Sequence, residues 1–133
     1  MISCRLILRV YYEDTDAGGI VYHARYLAFA ERARTEALRE AGLSHSTLVR
    51  DHGLIFVVRR AEMDYLRPAR LDDELVVITG PWEMRGASVD VRQVFELDGH
   101  KVATLQVKLA TVRVSDGRPV RIPDRWRTIG DQG

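Results

Sequence analysis

Cysteine is almost absent from this sequence: Cys4 is the single one among 133 residues. An intrachain disulfide is therefore impossible, and a cysteine-rich zinc site is excluded. Long hydrophobic runs are missing too, since no apolar stretch approaches the roughly 20 residues that a membrane-crossing helix needs. The opening MISCRLILRVYYEDTD does not read as a secretory leader, because its apolar run is short, contains Arg5 and Arg9, and leads to no small-residue cleavage site. Charge of one sign is lacking as well. Lys and Arg total 20 against 19 Asp and Glu, which leaves no electrostatic reason to expect nucleic acid as a partner. No repeat, low-complexity tract or Pro/Gly/Ser-rich linker divides the chain. The expectation is one soluble, cytoplasmic domain over residues 1–133, long enough to bury a real core without staples.

What is present falls into one helical segment followed by strands. Leu6 to Tyr12 is rich in β-branched and aromatic residues and predicts a first strand. The turn cluster EDTDAGG follows, with Gly18-Gly19 open to positive φ. From Ala24 to Ala41 the pattern turns helical: Tyr26, Ala30, Ala33, Ala37 and Ala41 form a stripe, which Leu27 and Leu38 widen. Four alanines on that stripe let a sheet approach closely, as for a helix enclosed by strands. Gly42 ends the helix, and Ser44 is placed to cap a short helix over Ser46–His52. Strand-like runs then cover Leu54–Tyr65, Glu74–Trp82, Ser88–Leu97 and Lys101–Val114, with Asp98-Gly99 as a two-residue hairpin signal. The tail from Asp124 is expected to be loosely held. One strand, one long helix and four closely linked strands predict an α+β fold with an antiparallel sheet. No βαβ alternation supports a doubly wound nucleotide-binding sheet.

Chemistry concentrates in Tyr11–His23, YYEDTDAGGIVYH, where three acids, a histidine and a diglycine separate a strand end from a helix start. Free amides near a helix N-terminus can hold a carbonyl oxygen that becomes negative during attack. A carboxylate beside it can activate water or attack a thioester carbon. The same residues can equally be ordinary turn formers, with His23 at the helix entry for packing. Asp14-x-Asp16 also invites a metal reading with His23, but no further ligands cluster in the sequence. A haloacid-dehalogenase-type phosphatase motif fails because Gly18 stands where Thr or Val is required.

The stretch RVYYEDTDAGGIVYHARYLAFAERARTEALREAGL, Arg9 to Leu43, closely resembles the opening of the Tol–Pal-associated acyl-CoA thioesterases. These belong to the 4-hydroxybenzoyl-CoA thioesterase branch of the hotdog-fold superfamily. FVVRRAEMDYLRPARLDDEL resembles the same family, and the resemblance weakens after Val114. It implies a curved five-stranded antiparallel sheet wrapped around one long helix. It also implies that Asp16, the second acid of D-T-D, is the catalytic carboxylate, with Tyr12 and His23 in support. The amides of Val21, Tyr22 and Ala24, where the helix begins, are the oxyanion-binding candidates. Some hotdog thioesterases carry their acid in the helix, where Glu31 lies, but the intact D-T-D pattern assigns Glu31 a structural role.

The implied activity is hydrolysis of an acyl-coenzyme A thioester without a metal or other cofactor, coenzyme A being part of the substrate. An acyl carrier protein remains a possible thioester donor. Arg59, Arg60, Arg67, Arg70 and Arg85 are candidates for the phosphates of coenzyme A, each with a solvated surface residue as its plainer reading. Cys4, with no base placed beside it by motif, reads as a packing residue. Two other functions compete: a hotdog dehydratase or hydratase working by proton transfer at carbon, and a non-hydrolytic acyl-thioester or protein-partner binding module. One helix leaves part of a five-stranded sheet uncovered, so a homodimer or homotetramer is expected.

Overall fold

The computed structural model describes residues 4–131. Five strands, β1 (Cys4–Arg9), β2 (Leu54–Tyr65), β3 (Glu74–Arg85), β4 (Ser88–Leu97) and β5 (His100–Arg113), form one sheet in the order β1-β3-β4-β5-β2, every pair antiparallel. Three helices accompany them: α1 (Arg25–Glu40), α2 (His45–His52) and α3 (Asp124–Asp131). Register shifts at Val58/Arg60, Thr79/Trp82 and Phe95/Glu96 each insert a local bend, so the sheet curves around α1. The shift at Thr79/Trp82 also lets β3 run on to Arg85, past the end at Trp82 that its pattern suggested.

The alanine stripe does what its spacing predicts. Ala30, Ala33 and Ala37 are buried with Tyr26, Phe29 and Leu38, so the helix backbone lies close to the sheet. One member of the stripe and one residue outside it depart from that pattern. Leu27 is exposed, while Arg34, a cation, takes a buried position. Ser44 caps α2 by accepting from the Thr47 amide at 3.1 Å, and Gly53 ends that helix at φ 64°. Asp98 and Gly99 both adopt positive φ, and Leu97 pairs with His100, which is the tight hairpin their sequence called for.

Two boundaries are corrected. The first strand ends at Arg9, because Val10 turns inward to full burial, its amide on the Asp73 carbonyl, and Tyr12–Asp14 form a 3-10 turn. The tail from Asp124 is not loose over its described part. It forms α3, and Trp126 is buried with its ring edge-on to Phe56 at 5.7 Å. One large aromatic provides enough apolar surface to dock an eight-residue helix.

Candidate active site

The loop between β1 and α1 is held by Asp14. Its carboxylate is buried, accepting from the Tyr11 amide at 2.8 Å and from Arg25 Nε at 2.6 Å, while its carbonyl accepts from the Tyr22 amide at 2.9 Å. These bonds tie the strand end to the first turn of α1. Asp14 is thus structural, as a turn-forming acid should be. Between the two attachments, residues 15–21 form a miniature hairpin: Thr15 bridges to Val21, the Asp16 amide reaches the Ile20 carbonyl, and the Gly19 amide returns to the Asp16 carbonyl, both at 2.9 Å.

Asp16 sits at the tip of this hairpin, exposed to solvent. One carboxylate oxygen, Oδ1, accepts from the Gly18 amide at 2.9 Å. That close approach explains the diglycine. A Cβ on residue 18 would lie 3.2 Å from Asp16 Oδ1, and residue 19 has φ 78°, which glycine alone adopts without strain. The other carboxylate oxygen, Oδ2, has no protein partner among the described residues.

An open cleft of about 460 Å³ lies beside this carboxylate. Asp16, Val21 and His23 line one part of it, Tyr65 to Pro68 another, and the buried Tyr26 a third. The Tyr65 hydroxyl donates to the His23 carbonyl at 2.9 Å, and its ring stands edge-on to both His23 and Tyr26. Burial pushes the Tyr26 and Tyr65 phenols above their ordinary range, so both stay protonated near neutrality. Tyr12 does not reach this cleft. It lines an adjoining recess with Thr15, Gly19 and Leu71, and Asp16 borders both spaces.

The expected oxyanion donors divide. The Val21 amide is already bound to the Ala69 carbonyl at 2.8 Å and the Tyr22 amide to Asp14, which corrects their assignment as free donors. The Ala24 amide, and that of His23, meet no acceptor among the described residues. Ala24 is also the N-cap of α1 and carries no capping side chain, so the positive end of a 16-residue helix dipole opens here. Neither His23 nor Tyr12 hydrogen-bonds to Asp16 in this structure.

Of the five candidate arginines, Arg67 alone lines the cleft. Arg60 is paired with Glu62, Arg85 with Glu83 at 3.4 Å, and Arg59 lies exposed beside the β2 bulge. Asp14, Asp16 and His23 form no metal-holding cluster, nor does any other acid, histidine or cysteine group among the described residues. Tyr65 and Tyr26 were not singled out by motif. The signal available for Tyr65 was an aromatic at a strand end just before a proline-broken turn, Tyr65-Leu66-Arg67-Pro68.

The curved sheet around an enclosed helix is the hotdog fold. A model of the thioesterase-like superfamily matches residues 10–128, and the chain belongs to that superfamily. It is 46% identical over 116 residues to a Haemophilus influenzae protein named acyl-CoA thioesterase YbgC, covering 87% of this chain and 85% of that one. A Helicobacter pylori protein of the same name is 32% identical over 130 residues, covering 91% and 95%. The crystal structure of a probable thioesterase from Bartonella henselae superposes with a TM-score of 0.84 at 36% identity, over 91% of this chain and 99% of that one.

Proposed function

We propose that this chain hydrolyses an acyl-coenzyme A thioester to a free acid and coenzyme A, with Asp16 as the reacting carboxylate. The observation that carries the proposal is the pairing, along one cleft, of an unencumbered Asp16 oxygen with the uncapped start of α1. A thioester carbonyl seated there would place its oxygen on the free amides of His23 and Ala24, where developing negative charge is stabilised. Attack by Asp16 on the carbonyl carbon would form a mixed anhydride and expel the coenzyme A thiolate, which takes up a proton. Water would then cleave the anhydride and regenerate the carboxylate. Activation of a water by Asp16 reaches the same products in one addition. In either route His23 borders the reacting carbon, and Tyr12 shapes the recess behind Asp16.

Arg67 is the cation placed to meet the nucleotide phosphates within one protomer. Arg59, Arg60 and Arg85 would serve only across a subunit boundary, since none lines the cleft of its own chain. Such a boundary belongs to the proposal. β2 pairs with β5 alone among the described strands and leaves its second edge open, and Tyr65 to Pro68 continue from that strand into the cleft. A homodimer, or a homotetramer built from it, follows. Residues 1–133 act as one domain, and no resident cofactor takes part. Among the described residues no helix is long and apolar enough to cross a membrane, and the proposed location is the cytoplasm. The segment YYEDTDAGGIVYHARY supports placement in the Tol–Pal-associated, 4-hydroxybenzoyl-CoA thioesterase branch.

Free-thiol release from a panel of aromatic, short and long acyl-coenzyme A esters, with one acyl carrier protein thioester, tests the reading. Turnover of at least one coenzyme A ester is expected. Saturable binding without thiol release would instead support a binding module, and loss or gain of a carbon–carbon double bond without thiol release a hydratase.

A further inference from the structure

One hydrogen bond in the cleft joins two elements far apart in sequence. The Tyr65 hydroxyl, at the end of β2, donates to the His23 carbonyl at 2.9 Å, 42 residues back along the chain. Burial does not demand this bond. Tyr65 is 48% exposed and His23 is exposed too, so water could serve both groups. The hydroxyl is nevertheless delivered from a fixed base. Tyr65 pairs with Ala103 across the sheet, and the Leu66 and Arg67 amides both reach the Val102 carbonyl, at 2.8 and 3.1 Å. Its ring stands edge-on to the buried Tyr26 at 5.5 Å. Among the described residues no backbone amide reaches the His23 carbonyl. The first helical bonds bypass it: the Arg25 amide goes to the Tyr22 carbonyl at 2.8 Å and the Leu27 amide to that of Ala24 at 3.2 Å.

The carbonyl of His23 and the amide of Ala24 belong to one peptide group. That group is planar and trans, so its C=O and N–H point in opposite directions and turn together. A bond that fixes the carbonyl fixes the amide. At a helix start the carbonyls point along the helix and the amides out of its N-terminal end. Holding the His23 carbonyl therefore keeps the Ala24 amide aimed out of the uncapped end of α1. A carbonyl that accepts a hydrogen bond also makes the amide across the same peptide a stronger donor. We propose that Tyr65 is a positioning residue for thioester hydrolysis: through the His23–Ala24 peptide, its hydroxyl orients the Ala24 amide that receives the developing oxyanion. The assignment rests on the hydrolytic reading with Ala24 as an oxyanion donor, and it names what sets the direction of that donor. No capping side chain of α1 shares the task.

Tyr65→Phe removes one oxygen from an exposed position and keeps the ring against Tyr26, so the variant should fold, with thermal unfolding as the control. With the acyl-coenzyme A ester that the parent turns over best, kcat should fall about tenfold while KM stays within about twofold, as for one hydrogen bond's worth of an interaction made in the transition state. That is less than the about 10²–10³-fold lost when an oxyanion donor is deleted, because the amide remains and only its aim relaxes. A ketone analogue of the ester, with a methylene in place of the thioester sulfur, supplies a readout that a merely structural role would not move. Its carbonyl stretch should shift to lower frequency when the parent binds it, and by clearly less when saturating Tyr65→Phe does. In the parent, the Ala24 amide proton resonance should move downfield as the analogue binds. Unchanged kcat in Tyr65→Phe, a loss confined to KM, an equal carbonyl shift in both proteins, or an Ala24 resonance that ignores the analogue would overturn the proposal. Absence of thiol release from every ester by the parent would overturn the hydrolytic reading, whereas the analogue's carbonyl shift judges Tyr65 by itself.

Discussion

Asp14 and Asp16 stand two residues apart and do unlike things because of where their carboxylates point. Asp14 turns inward to Arg25 and the Tyr11 amide, while Asp16 turns outward with only the Gly18 amide on it. Asp14→Asn keeps the size but removes the charge facing Arg25. A hydrogen bond to a charged group contributes about 1.5–3 kcal/mol, and Arg25 is partly solvated, so a loss of about 1–2 kcal/mol is expected. Urea unfolding measures it, and an unchanged midpoint would contradict the structural role. His45 supplies a second prediction at this scale. Burial, the largest influence, holds its pKa below the ordinary 6.5, so the folded state binds fewer protons there than the unfolded chain. The corresponding stability is fully present above pH 6.5 and lost as pH falls below that value towards the folded pKa. Unfolding midpoints between pH 7.5 and pH 5 should fall, and His45→Gln should flatten the fall. An identical slope in both proteins would refute this.

Elements in this fold differ in how they are held, and that decides how well each was legible in the chain. α1 shows itself through repeated small residues at helical spacing, because many positions must face the sheet at once. α3 docks with Trp126 buried and its ring edge-on to Phe56, and one aromatic makes no periodic pattern. Trp126→Ala should therefore cost about 3–5 kcal/mol, the range for emptying a buried aromatic site. Thermal or urea unfolding checks this, and a loss below about 1 kcal/mol would mean that α3 is a frayed end. The site divides in the same way. Asp16 and His23 are close in sequence and readable as one motif. Tyr65 and Arg67 reach them only through the placement of β2 at the sheet edge, and alternation along a strand says nothing about which loop its end will meet. Arg34 was hidden for a related reason: a cation beside the alanine stripe reads as solvated until Gln93 is seen to receive it.

At the scale of the molecule, an open twelve-residue edge on β2 asks for a partner strand. Tyr65 ends that edge and Arg67 follows it, so a neighbouring copy would abut the Asp16 cleft. Light scattering should give a dimer or tetramer, and specific activity should fall on dilution below the dissociation constant. A stable monomer with full activity would contradict this. The central claim is that the hotdog scaffold presents Asp16 as the reacting carboxylate, and steady-state hydrolysis of one good acyl-coenzyme A ester by Asp16→Asn tests it most directly. Removing a positioned acid–base group typically costs about 10²–10⁴-fold. The Asn side chain can still accept from the Gly18 amide, so the fold should survive, with circular dichroism as the control. A folded variant with turnover reduced by about a hundredfold or more is the predicted result; one that keeps more than about a tenth of the parent's turnover would place the chemistry elsewhere.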